Sequence, residues 1–361
     1  MEKVFSRTPS VRPFLRAGRA HLFSAVVDVA VGGRFLPKYE PSCHCFDGHG
    51  RGASITLSRR IFLVYRAGTR GWGSVRLRVF QLAVALRGVA TNPRFVKVVT
   101  EEQMASVRPT DAHVIFTKWV LTDSNRGLIR RLQRDRNTIW SDLVDGVPDT
   151  GVEELVDHFL CSSESEFQHR REAGLTAVRV LHNVDSRFLV RSFDRESLAI
   201  GYLGVRDNVQ LFPELDCLAT HFTDTSMGSR QVLAAATAIG DWSHHYSVRT
   251  PVLTRTFKPA TKIFLAARLG ALFIGSAADI ESRLIMGDDY PYLASSSNPN
   301  DVKEVIALAR ESFLGPLWET ARARMLLARE QSCDVRVAQQ LAAALGGTMA
   351  FQRPSVSMPT R

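Results

Sequence analysis

The sequence predicts an α/β protein built of two Rossmann-like halves that face a cleft. Three observations lead there. Apolar runs of strand length alternate with amphipathic helical stretches from Ile61 onward, the pattern of a parallel sheet with right-handed crossovers. The alternation restarts near residue 190. The chain has 361 residues, of which 45% are hydrophobic, enough to bury two cores.

In the first half "IFLVY" (61–65) is a continuous apolar run, the mark of a strand buried on both faces. A glycine loop follows, then a helix with Val75, Val79, Leu82, Ala83 and Leu86 on one face and Ser74 as its N-cap. "HVIFTKWVL" is the second strand and "SNRGLIRRLQRD" a basic helix. "NTIWSDLVD", "HFLCSS" and "AVRVLHN" are further strands, separated by a short helix at "DTGVEELVD" and a longer one at "ESEFQHRREAG". In the second half "AIGYLG" is a strand ending at Gly204, and "HHYSVR" and "ALFIGS" are two more, with the helix "KPATKIFLAARLG" between them. Helices at "DIESRLI", 301–314 and 317–345 complete the pattern. The expected domains are a first half at 59–188, a second at 189–350, and a tail at 351–361.

Residues 1–58 differ in texture. "CHCFDGHGRGAS" (43–54) lacks periodicity and reads as loop or disorder. Its Cys43, Cys45, His44 and His49 do not have structural-zinc spacing and are taken as incidental. The Arg-rich, acid-poor start resembles an organelle transit segment or a misassigned start, so 1–58 is expected to be disordered or a non-native extension.

The net charge is +10, and ten Lys or Arg against four acids in residues 1–60 account for six of those charges. The milder balance elsewhere suits phosphate-bearing small substrates or an anionic membrane surface, with peripheral contact at the inner face. No nucleic-acid-binding pattern accompanies it. Scattered cysteines, five in all, fit a cytoplasmic protein without disulfides, and no stretch is long and apolar enough to span a membrane. There is no P-loop, no G-x-G-x-x-G after a strand and no nucleophile elbow, which sets aside kinases, NAD oxidoreductases and serine hydrolases. "GDDYPY" is read as a loop, and no cofactor or metal is implied.

Ligands of such sheets bind beyond the carboxyl ends of the strands. The loops at 66–73, 142–145, 183–188, 204–208 and 247–262 should therefore line one cleft. Arg206, Lys262 and Arg249 are the candidate cations for a phosphate there, or solvated surface charges. Gly71, Gly73 and Ser74 would let the backbone approach an anion, or form a plain strand-to-helix turn. Asp142 and Asp145 follow a strand and are the candidate catalytic base or substrate contacts, or a turn with a helix cap. Trp72 would stack on a sugar or lipid or pack in the core, and at least one of His244 and His245 should be structural.

"VRVLHNVDSRF" (178–188) resembles the segment V-x-V-[IL]-x-N-G-V-D-x-x-x-F by which the GT-B-fold glycosyltransferases related to glycosyltransferase family 4 (the group 1 transferases) pass from one domain to the other. "FLCSSESEFQHRREAG" looks like the strand and helix before that hinge, and "AIGYLG" like the first strand after it. "KPATKIFLAARLGALFIGS" resembles the donor-site helix and strand K-P-x-T-K-[LI]-F-[ED]-x-x-A-x-G-x-P-V-I-[AG]. The resemblance, from about Ile61 to Leu345, implies a metal-independent transferase. It would take a UDP- or GDP-sugar on its second half and a glycan, lipid or small-molecule acceptor on its first. An epimerase of the same fold and a non-catalytic binding scaffold are the alternatives. One departure stands out: where relatives carry ribose-binding carboxylates this chain has Leu265 and Phe257, so Glu281 is the candidate substitute, or a charge at a helix N-terminus.

Overall fold

The computed structural model describes residues 29–31, 34–36, 54–145, 152–213, 215, 218–223, 229–250 and 257–350. The transit-like start, the 43–53 stretch with its Cys and His residues, Cys217, the "DTG" that opens the expected helix after Asp145, and the tail at 351–361 lie outside the described residues. The chain divides into two compact units, Met1–Glu40 and Pro41–Arg361. In the first, β1 (Val29–Val31) pairs antiparallel with β2 (Arg34–Leu36).

The second unit begins with β3 (Ser54–Thr56) and β4 (Arg60–Tyr65), followed by α1 (Gly73–Val75). The helix continues through a π-helical turn, Arg76–Gln81, into α2 (Leu82–Val89). Then come β5 (Val96–Thr100), α3 (Glu101–Val107), β6 (Ala112–Thr117), α4 (Arg126–Arg134) and β7 (Thr138–Asp142). β8 (His158–Cys161), α5 (Glu164–Glu172) and β9 (Ala177–Arg179) close this half. Its sheet is parallel throughout, in the order β5-β4-β6-β7-β8-β9. The second half has β10 (Ile200–Gly204), β11 (Leu218–Phe222), α6 (Ser229–Ala238), β12 (His244–Tyr246) and α7 (Thr261–Arg268). β13 (Leu272–Ser276), α8 (Ile280–Met286) and β14 (Leu293–Ala294) follow, in a parallel sheet ordered β11-β10-β12-β13-β14. The expected two parallel-sheet α/β halves are present.

Alternation along β4 explains its unbroken apolar run. Ile61 and Leu63 join the core on one face of the sheet, with α2, while Phe62 and Val64 join the core on the other. Burying each such side chain contributes roughly 1.5–3 kcal/mol. β5 was not foreseen: at the sheet edge it fully buries only Val96, so its pattern is too weak to announce a strand. The helix expected at 149–157 is, in its described part, a single 3₁₀ turn, Glu153–Leu155.

The helices at the end depart most from expectation. After α9 (Pro299–Glu311), the single helix read at 317–345 is two, α10 (Pro316–Gln331) and α11 (Asp334–Ala344). The break falls at Ser332–Cys333, where the Ser332 hydroxyl donates to the Ala328 carbonyl at 2.8 Å and competes with the helical ladder. α11 returns to the first half, where Val337, Leu341, Ala342 and Leu345 share a core with Leu82, Ala83 and Leu86. Beyond it β15 (Thr348–Ala350) pairs antiparallel with β3. Ile55 is fully buried in that core and Leu57 nearly so, so the end of the segment read as an extension belongs to the folded body.

The linker between the halves is pinned from three sides. Buried Arg78, in the π-helical turn, donates Nε to Asp142 Oδ2 at 2.8 Å and Nη1 to the carbonyls of Val180 and Leu181 at 2.9 and 2.8 Å. Gln81 donates to the Val184 carbonyl and to Asp334 Oδ1, and accepts from the Ser186 backbone. Asp334, at the first turn of α11, also accepts from Asn183 Nδ2 at 3.1 Å. On the far side Phe188 is buried in the second core while its carbonyl accepts from Arg268 Nε.

Arg78→Ala should destabilise the protein by about 3–5 kcal/mol in denaturant unfolding, because it strands a buried carboxylate and two carbonyls. A loss under about 1 kcal/mol would show that the pair does not organise the linker. Burial also pulls the His244 imidazole, packed against Tyr292 and Trp318, down to about 3, so the fold holds it neutral. Its contribution is complete above the unfolded pKa near 6.5 and disappears as pH falls toward 3. His244→Phe should therefore lose less stability than the parent between pH 6.5 and 4, measured as the change in Tm.

Candidate functional site

A cavity of about 470 Å³ lies at the carboxyl ends of the strands, where the two halves meet. The first half lines it with Trp72, Gly73, Ser74, Leu77, Lys118, Trp119, Val144 and Asp145. The linker contributes His182, and the second half Asn208, Ser247, Arg249, Lys258, Pro259, Thr261 and Lys262. Four cations therefore face a single lining carboxylate among the described residues.

Two helices begin here without a side-chain cap. The N-cap of α1 is Trp72, and Ser74, expected in that role, lies inside the first turn. The N-cap of α7 is Ala260. Uncapped N–H groups and the positive end of the helix dipole favour an anion. Lys262, in the first turn of α7, donates to the Leu203 carbonyl and lies 5.5 Å from the Tyr202 ring centre. Burial, with Arg249 and Lys258 nearby, lowers its ammonium to about 8. Gly204 makes room for it: a Cβ there would sit 2.5 Å from both Lys262 Nζ and the Tyr202 hydroxyl.

Arg249 is buried and bonds the chain leading into α7, donating to the carbonyls of Lys258 at 3.0 Å and Pro259 at 2.8 Å and pairing with Asp279 at 3.3 Å. It shapes the loop, and its charge is largely met by Asp279. Lys258 donates to Asn208 Oδ1 at 3.3 Å and lies 3.8 Å from Asp145 Oδ2. Burial lowers its ammonium and Asp145 opposes the shift. Asp145 also pairs with Lys118, so one carboxylate from the first half is held between lysines of both halves. At the rim Trp72 and Trp119 are 42% and 47% exposed and meet edge to face at 6.1 Å. Trp72 is thus a surface residue here and not a core one. Trp119 takes a left-handed φ of 72°, a strained choice for a bulky side chain, two residues past the β6 carboxyl end.

Other sequence candidates lie elsewhere. Asp142, expected at the cleft, is fully buried against Arg78; burial raises its pKa and the guanidinium opposes that. β7 carries it inward because a parallel strand alternates its side chains between two packed faces. Arg206 is exposed in a 3₁₀ turn, over the Phe222 ring, and does not line the cavity; Gly71 does not line it either. Glu281 is buried and accepts from the backbone N–H groups of Glu164 and Ser165 at 2.9 and 3.0 Å and from the Ser165 hydroxyl at 3.0 Å. Its carboxylate caps α5, leaving it committed to a helix of the other half. Leu265 belongs to the second core, Phe257 packs on His169 with ring centres 4.9 Å apart, and His244 and His245 are both buried.

The sequence reading singled out none of Lys118, Lys258, Asn208 and His182, although Lys258 and Asn208 lie in loops it placed at the cleft. Lys258 is the first residue of the motif that singled out Lys262, and Lys118 follows the end of a strand, so both carried a signal. Asn208 ends the loop at 204–208, and only His182 needed the meeting of two distant segments.

No protein-family model matches the sequence, and no curated protein matches it. Among solved structures, the UDP-forming α,α-trehalose-phosphate synthase of Burkholderia vietnamiensis is similar, with a TM-score of 0.52 at 10% identity, covering 80% of this chain and 100% of that one. A glycosyltransferase from Rickettsia africae ESF-5 is similar with a TM-score of 0.53 at 9% identity, covering 80% and 98%. These likenesses show the fold, two parallel-sheet α/β domains of the GT-B type. The pneumococcal O-GlcNAc transferase GtfA, solved with UDP and GlcNAc, has a TM-score of 0.47 at 13% identity, covering 68% of this chain. This chain spans 58% of that protein, under two thirds of its length.

Gly204→Ala should cost about 1–3 kcal/mol in denaturant unfolding, the usual penalty of overpacking. Adding Lys262→Ala should recover part of that loss, giving a non-additive double-mutant cycle. Strict additivity would mean that Lys262 Nζ does not need the space beside residue 204.

Proposed function

We propose that the protein is a glycosyltransferase, related to family 4 and independent of metal, that moves a sugar from a UDP- or GDP-sugar to a glycan, lipid or small-molecule acceptor. The observation that carries this reading is the opening of two uncapped helix N-termini, at Gly73–Ser74 and Thr261–Lys262, on one cavity rich in cations. In glycosyl transfer the bond from the anomeric carbon to phosphate oxygen breaks, its electron pair leaves with the nucleoside diphosphate, and the acceptor oxygen bonds to that carbon. Charge grows on the departing phosphate, so donors already aimed there lower the barrier. Lys262, Lys258 and the first N–H groups of α7 fit that role, with Gly73 and Ser74 approaching from the other half. Arg249 acts by holding the chain that carries Lys258 and Pro259. Asp145 is the group proposed to accept the acceptor's proton. Asp142 acts through Arg78 on the linker.

A second reading, a scaffold that binds a nucleotide sugar without transferring it, is favoured by the apolar Leu265 and by the pairing of Arg249 with Asp279. Transfer of sugar to any acceptor in a cell extract would dispose of it.

Thermal unfolding with UDP, GDP, ADP, CMP and dTDP tests the binding. A nucleotide at 100 times its Kd should add about 2.7 kcal/mol to stability, and Lys262→Ala or Lys258→Ala should remove the shift. Because Lys262 loses its charge near pH 8, nucleotide affinity should fall as pH rises from 7 to 9. No shift with any of the five in folded protein would overturn the proposal.

A further inference from the structure

The linker places one polar group in the cavity that the proposed reaction has not used. His182 is 3% exposed and lines the cavity beside residues of both halves. Its Nδ1 is 3.0 Å from the Asn183 carbonyl oxygen. A carbonyl can only accept, so Nδ1 carries the proton and Nε2 carries the lone pair. Nε2 has no hydrogen-bond partner among the described residues. Burial, aided by Arg78, pulls this imidazole down to about 4, against the opposing pull of Asp145, so it stays neutral at physiological pH.

The lysines around it are occupied. Lys118 pairs with Asp145, Lys258 with Asn208 and Asp145, and Lys262 with the Leu203 carbonyl. Nε2 therefore faces the cavity as an open acceptor, to which a ligand's donor can bond in place of water. A phosphate brings only acceptors at neutral pH, so it is not the complement of this atom. A neutral hydroxyl is, and the exposed Trp72–Trp119 pair at the rim adds the aromatic surface on which a sugar ring packs.

We infer that His182 is a specificity-determining residue of this cavity, its Nε2 accepting a hydrogen bond from a sugar hydroxyl of the donor or the acceptor. The inference rests on the proposed glycosyl transfer and makes the linker itself part of the sugar site. A linker fixed through Arg78, Gln81 and Asp334 holds the imidazole in one place, so hydroxyl position is read by a side chain on a rigid linker.

The full chain with ¹⁵N-labelled histidine, compared with His182→Phe to assign the resonance, tests this by NMR. UDP and GDP alone should leave the His182 Nε2 signal in place. UDP-glucose or GDP-mannose should move it if the hydroxyl belongs to the donor sugar. Free glucose added with UDP should move it if the hydroxyl belongs to the acceptor. His182→Phe should bind UDP or GDP as the parent does and the sugar-bearing ligand about tenfold more weakly, the worth of one ordinary hydrogen bond. Nucleotide binding with Nε2 unmoved by every sugar would overturn the inference while leaving the transferase reading in place. Movement with glucose in a protein that binds no nucleotide would sustain the inference and overturn that reading, and no response to any of these ligands would overturn both.

Discussion

The arrangement hinges on a buried guanidinium. Arg78 offers a rigid fork of donors, and that fork joins three segments that are distant in sequence: the helix after β4, the carboxyl end of β7 and the linker at Val180–Leu181. The π-helical turn supports it by presenting Leu77, Arg78, Val79 and Gln81 to the interior within one stretch, which an ordinary helical stripe does less readily. The pair is not perfectly satisfied, since Arg78 Nη2 and Asp142 Oδ1 lack partners among the described residues. Buried ion pairs of this kind are better understood as fixing one arrangement than as adding net stability. The arrangement fixed here is the cavity floor: His182 follows the bonded Leu181, and Asp145 lies three residues past Asp142.

The second constraint is charge. The cavity gathers lysines from both halves around Asp145, which in this structure occupies the place between Lys118 and Lys258. Burial makes those ammonium groups costly and lowers the pKa of Lys258 and Lys262. On the proposed function, an arriving anion would relieve that cost. It would also compete with Asp145 for Lys258, so binding and the contact between halves would draw on the same charge. Glu281, capping α5 from across the cleft, ties the halves by a bond that makes no use of the cavity.

Much of the fold was legible because local patterns carry it. The double-sided strand at β4, the face of Val75, Val79, Leu82, Ala83 and Leu86, and the restart near residue 190 follow from burial on a periodic scaffold. β5 escaped because an edge strand buries little, and the break at Ser332–Cys333 because a helical pattern continues across it. In the site, Gly73, Ser74, Asp145, Arg249 and Lys262 line the cavity as the loops at strand ends suggested. Asp142, Arg206, Gly71 and Glu281 do not, since a residue's position after a strand leaves open which way its side chain turns and what it meets.

By itself the sequence determined the class of fold, the order of its elements and the loops from which a site could be built, because period, turn chemistry and apolar content are properties of neighbouring residues. Only the tertiary structure decided that a linker histidine and a first-half carboxylate share one cavity with the start of α7. It also decided that the last helix returns to the first half and that Asp142 serves Arg78 inside the protein. Those outcomes depend on bonds between residues separated by tens to hundreds of positions, such as Gln81 with Asp334 and Glu164 with Glu281, which no local pattern encodes.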